Sequence, residues 1–123
     1  MDPRDEKRPL TRQVTVEGFG LHSGERARVV LRVRPGPVRL ARGGLEAPVS
    51  ELEIVATARA TTVAGCGGAM RVQTVEHAMA ALAGLGIHRD VEVVVDGPEM
   101  PLLDGGASAW CEALRRLDVA PAS

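Results

Sequence analysis

Aromatic side chains are nearly missing from this chain of 123 residues, which has one phenylalanine, one tryptophan and no tyrosine. Proteins that grip single-stranded nucleic acid stack bases on aromatic rings, so that function class loses its main support. Charge of one sign is also missing. The 15 basic residues are balanced by 16 acidic ones, for a net charge of −1, and this leaves no electrostatic footprint for a polyanion. No nucleic-acid partner is expected. Cysteine is scarce: Cys66 and Cys111 lack C-x-x-C spacing and make no secreted disulfide framework. Long apolar runs are absent too. None approaches the roughly 20 residues that cross a bilayer, and no charged n-region with an apolar core opens the chain. Together these absences predict a reduced, soluble, cytoplasmic protein with no membrane span.

What remains is suited to a globular domain. Apolar residues make up 45% and charged residues 25%, ordinary values that argue against a disordered or fibrous chain. The length fits one domain over residues 1–123, which would bury roughly two-thirds of its unfolded surface. Val, Leu, Ala and Ile must fill its core. The ends, residues 1–9 and 119–123, are expected to be flexible.

Period-two alternation is clearest at residues 26–34 (RARVVLRVR). A strand there puts Arg26, Arg28, Arg32 and Arg34 on one face with Val30, and Ala27, Val29, Leu31 and Val33 on the other. The arginine face reads either as a solvated surface or as a surface for an acidic partner. Residues 13–16 form an earlier strand, and the glycine-rich turn at 18–25 joins the two into a hairpin whose loop carries His22. Turns are expected at 35–37 (PGP) and 43–44 (GG), with a short strand at 38–40 between them. Residues 58–63 (ARATTV) favour a strand, 65–68 (GCGG) a turn and 70–72 a further strand.

Two helices follow. The first has Thr74 as its expected N-cap, Val75, Ala78, Met79 and Leu82 on one face, and Gly84 and Gly86 as its stop. After a buried-strand run at 91–95 and an extended loop at 96–106, the second helix runs from about Ala107 to Leu117. It places Trp110, Ala113, Leu114 and Leu117 on one stripe. Two helices can cover only one face of a small sheet. The expected fold is therefore α+β, a two-layer sandwich in which a small mixed or antiparallel sheet is covered on one face by two α-helices.

Glu76 and His77 stand side by side in the first turn of the first helix, above the small residues Ala80, Ala81 and Gly84. Another element or a ligand can come close over so low a ridge. Unpaired amides and the helix dipole favour an anion there over a cation, and neutral imidazole is the form that binds metal. Spacing alone does not separate this from an ordinary capping glutamate beside a structural histidine. The residue four after His77 is Ala81, so the paired-histidine helix of metalloproteases is absent.

Four blocks of the sequence, in order, resemble the first half of the UDP-3-O-acyl-N-acetylglucosamine deacetylases, zinc hydrolases of lipid A biosynthesis in Gram-negative bacteria. The blocks are residues 17–25 (EGFGLHSGE), 59–63 (RATTV), 71–87 (RVQTVEHAMAALAGLGI) and 97–110 (GPEMPLLDGGASAW). The resemblance implies that Glu76 is the general base for a zinc-activated water and that His77 is one zinc ligand. It also implies that Thr61 and Thr62 lie along the substrate region, and that the loop with His22 comes near the cleft, where His22 would touch substrate. On their own account Thr61 and Thr62 are equally β-branched strand residues. Cys66 reads as a packed or idle thiol and His88 as a surface residue. Asp104 reads as a turn and cap residue, with Ser108 as a possible helix cap.

The family's remaining zinc ligands, in an HKxxD-type motif, and its catalytic histidine belong to a second domain that this sequence does not contain. Zinc is thus expected from the resemblance, but held weakly or not at all by this chain alone. One reading makes the chain the first half of an enzyme, completed by a second-domain chain. Another makes it a non-catalytic member that binds or regulates, through the full-length deacetylase or by self-association. A third is a remnant without a role. UDP-3-O-acyl-N-acetylglucosamine is the ligand that the resemblance implies, and whether the chain is an enzyme stays open at this point.

Overall fold

The computed structural model of the chain describes residues 10–56 and 60–119. Its elements are β1 (Gln13–Phe19), β2 (Arg26–Pro37), β3 (Arg39–Arg42), β4 (Leu45–Pro48), a 3-10 turn (Val49–Glu51), β5 (Glu53–Ala56), β6 (Thr62–Gly65), a second 3-10 turn (Cys66–Gly68), β7 (Met70–Gln73), α1 (Glu76–Gly84), β8 (Arg89–Asp96) and α2 (Ser108–Arg115). The α+β class is as expected, but the strands divide into two sheets. One has five strands in the order β1-β2-β8-β3-β4, and the other has three in the order β5-β6-β7.

β1 and β2 form the hairpin that the alternation predicts, with Val14 opposite Leu31 and Val16 opposite Val29. Ala27, Val29 and Leu31 point into the core. β2 then runs on through residues 35–37, where a turn was expected. The register slips between Val33 and Pro37, and the Gly36 N–H donates to Asp90 Oδ1 at 3.0 Å. The chain rounds the start of β8 at Val38 and returns as β3, which pairs with β8 in parallel. That crossing makes the larger sheet mixed. The Gly43–Gly44 turn is where the sequence puts it: both residues have positive φ, as a two-residue hairpin loop between Arg42 and Leu45 requires.

β8 occupies the centre of the larger sheet, with Val91, Val93 and Val95 buried on the inner face. They share one core with Ala78, Ala81 and Leu82 of α1 and with Trp110, Ala113 and Leu114 of α2. α1 ends as expected. Gly86 takes positive φ, its N–H donates to Ala83 O, and the Ile87 N–H donates to Leu82 O, which together satisfy the last carbonyls. α2 starts differently from the Ser108 cap. Asp104 accepts the Gly106 N–H at 3.1 Å and the Ala109 N–H at 3.0 Å, so Asp104 caps the helix and Ser108 is already its first residue.

The outer face of the larger sheet is a ladder of ion pairs. Arg26 meets Glu17, Arg28 meets Asp96, Arg32 and Arg34 converge on Glu92, and Arg34 also holds Glu46. Glu92 is 0% exposed beneath its two arginines. The arginine face therefore has no free row of positive charge for an acidic partner. The strand expected at 58–63 begins only at Thr62, and residues 58 and 59 lie outside the described residues. The ends expected to be flexible, 1–9 and 119–123, lie outside them as well, except for Val119, which packs against the core.

Candidate functional site

The site begins where β7 passes into α1. Beside β7 lies the loop that follows β8: the Gln73 N–H donates to Pro98 O, and the Met100 N–H donates back to Gln73 O, each at 3.0 Å. This ladder sets Glu99 beside Gln73 and next to Thr74. Thr74 is not the N-cap. Its φ is +61°, and its hydroxyl donates to Glu99 Oε2 at 2.6 Å instead of turning back to the helix amides. A tertiary partner has replaced local capping.

Thr61 does the capping from outside the helix. Its carbonyl accepts the N–H groups of Thr74 at 2.9 Å and Val75 at 3.3 Å, and its own N–H donates to Glu76 Oε2 at 3.2 Å. The Val75 amide, which the helix start leaves unpaired, thus finds a partner, as does the Thr74 amide just before it. One oxygen of Glu76 is held by backbone, which fixes the direction of the other. Glu76 and His77 are both half-buried. Thr62, also half-buried, opens β6 between Ala56 and Gln73.

His22 joins the site through Glu99. That carboxylate is 1% exposed, and it accepts the His22 N–H at 3.0 Å and the Ser23 N–H at 2.9 Å in addition to the Thr74 hydroxyl. Burial raises the Glu99 carboxyl, but the hydrogen bonds from Thr74, Ser23 and His22 outweigh it and hold the group below the usual carboxylate range. Glu99 is an anion at neutral pH. The approach needs Gly20: a Cβ there would stand 2.2 Å from Glu99 Oε1 and 2.5 Å from Ser23 Oγ. The His22 side chain itself is exposed, and Phe19 (63%) and Leu21 (57%) beside it are exposed apolar surface.

The structure therefore connects sequence-distant candidates. Thr61 touches Glu76 directly, His77 shares the helical turn, Thr62 follows Thr61, and His22 is tied in through Glu99 and Thr74. Glu99 and the role of Thr74 escaped the sequence reading because their partners lie 25 to 77 residues away. The one available signal was a glutamate within the otherwise apolar and proline-rich block at 97–103.

A catalytic zinc takes three protein ligands and a water. Among the described residues no three His, Cys, Asp or Glu side chains come together to hold a metal ion. The described residues thus do not by themselves fit a catalytic zinc. Cys66 is exposed, with its thiol donating to Glu46 O at 3.3 Å, and the exposed His88 lines, with Met79, Leu82 and Ile87, an apolar cavity of about 410 Å³ to which Glu76 does not contribute. Among the described residues no helix is long and apolar enough to cross a membrane.

The chain is 41% identical over 121 residues to the UDP-3-O-acyl-N-acetylglucosamine deacetylase of Myxococcus xanthus, covering 92% of this chain and 37% of that protein. It is 44% identical over 109 residues to the deacetylase of Anaeromyxobacter dehalogenans, covering 85% of this chain and 34% of that one. With the deacetylase of Shewanella woodyi the identity is 38% over 120 residues, covering 92% and 38%. The chain thus spans little more than a third of the length of the curated relatives it matches. The family model for UDP-3-O-acyl N-acetylglycosamine deacetylase matches residues 7–123, nearly the whole sequence, and the chain belongs to that family.

Proposed function

We propose that this chain, acting as one domain in the cytoplasm, supplies one wall of a deacetylase site for UDP-3-O-acyl-N-acetylglucosamine, and that a second-domain chain supplies the other. Glu76 is the general base, and His77 is one ligand of a zinc ion shared with the second wall. The observation that carries this reading is the hydrogen bond from Thr61 N–H to Glu76 Oε2. A general base must be held within reach of the proton it takes, and backbone anchoring of one oxygen holds the other in place. Thr61, which touches that carboxylate, offers contacts for the sugar nucleotide together with Thr62 and the His22 turn. The metal, when bound, supplies the acidifying charge for the attacking water. What this chain contributes is the group that takes the proton.

Two facts support a second wall. The described residues bring together no three potential metal ligands, and the relatives are more than twice the length that the chain spans. Exposed Phe19, Leu21, Ile54 and Val55 provide apolar area for an association. The same exposure favours a second reading, in which the chain binds the full-length deacetylase or a second copy of itself without catalysing anything. Mixing the purified chain with a second-domain chain of the family distinguishes them. The first reading expects deacetylation only in the mixture, and expects Glu76→Gln to lower it by roughly 10²–10⁴-fold. A mixture that forms a complex but stays inactive, or a Glu76→Gln variant as active as the parent, counts against it.

A further inference from the structure

Three donors from two separate segments meet on one buried carboxylate. Ser23 and His22 present backbone N–H groups from the β1–β2 turn, and Thr74 presents its hydroxyl from the start of α1. Thr74 is in turn bonded through its own N–H to Thr61, whose N–H holds Glu76. The chain of bonds therefore runs from His22 to Glu76 with no exposed side chain as a link.

We propose that Glu99 is a positioning residue, which fixes the turn carrying His22 against the start of the helix carrying Glu76. Its function in deacetylation rests on the reading given above; its hold on the turn does not. The turn has little else to order it. Its other bonds, Gly20 N–H to Glu25 O, Gly24 N–H to Gly20 O and Glu25 N–H to Ser23 Oγ, all stay within the turn, and residues 21–26 are all exposed. Burying a carboxylate carries a large desolvation cost, which an apolar residue of similar size would avoid. The carboxylate does what an apolar residue cannot, since its two oxygens accept from both segments at once.

Amide hydrogen exchange on the chain itself tests this. In Glu99→Leu the exchange of His22 and Ser23 amides is expected to rise about tenfold or more, from the loss of charge-assisted bonds, while amides of β2 and β8 keep their protection. Glu99→Gln guards against a variant that fails to fold. One amide oxygen still accepts from His22 and Ser23 and the NH2 donates to the Thr74 hydroxyl, so the rise is smaller, about fivefold, from the loss of charge alone. Unchanged exchange at His22 and Ser23 in folded Glu99→Gln or Glu99→Leu overturns the inference.

A second readout separates positioning from general support. In the two-chain assembly, weakening of sugar-nucleotide binding by Glu99→Leu and by His22→Ala is expected to be non-additive, because one residue acts through the other. Additive losses overturn the positioning role. An unmutated assembly that binds no sugar nucleotide sinks the functional reading, and the exchange result then decides this inference by itself.

Discussion

Alanine at position 20 is expected to release the turn carrying His22 and to destabilise the domain by about 2–4 kcal/mol. The added methyl would stand 2.2 Å from Glu99 Oε1, and an approach that short forces something to move. Shifting the far end of an exposed glutamate is easy. Glu99 is buried and held by three donors, so moving it strains or breaks bonds to an anion. The opposing gain, a stiffer unfolded chain, is only about 0.4–1 kcal/mol and does not win. Gly84 provides the contrast. It closes α1 with open space around its position, so alanine there meets nothing and is expected to be neutral or to stabilise by up to about 1 kcal/mol. Urea unfolding of the two variants beside the parent checks both signs. A Gly20→Ala protein as stable as the parent contradicts the packing described for Glu99.

Trp110→Ala is expected to be more damaging, at about 3–5 kcal/mol. Trp110 is the largest of the fully buried side chains and lies in the same core as α1 and the inner face of β8. With so few aromatics in the sequence, no neighbouring ring is available to fill the space it leaves. Domains of this size have only about 5–15 kcal/mol in hand, so a large share of the stability goes with one side chain. Thermal unfolding should show Tm lower by roughly 10–20 °C. A shift of a few degrees would mean that the core collapses around the cavity and is less tightly packed than the burial indicates.

How far the sequence could be read depended on how local each cause was. The β1–β2 hairpin was legible because its strands alternate strictly, and burial of one face enforces that period. The end of α1 was legible because a glycine at positive φ closes a helix through neighbours in sequence. Residues 35–37 misled, since proline and glycine mark turns. Here Asp90, far along the chain, takes up the Gly36 N–H and keeps the segment in the strand. Thr74 misled for the same reason: its hydroxyl has a better partner in Glu99 than in its own helix. The division into two sheets was not legible either, because β5, β6 and β7 are only four residues long, too short for alternation to show which strands they join.

The site shows the same pattern. Glu76 and His77 stood out as adjacent chemistry on a low helical ridge, and the resemblance gave them roles. What holds Glu76 is Thr61, which in turn meets Thr74 and through it Glu99, and neither Thr61 nor Glu99 signals that task in its own neighbourhood. The ion ladder was half legible. Its arginines were plain from the alternation, but their pairing with Glu17, Asp96, Glu92 and Glu46 depends on the register of all five strands of the larger sheet.

A zinc titration of the purified chain, with His77→Ala as the control, bears most directly on the claim that its residues make a single wall. The account predicts no site of sub-micromolar affinity until the second-domain chain is added, and then one site that His77→Ala removes. Tight, stoichiometric zinc binding by the chain alone, lost in His77→Ala, would contradict it.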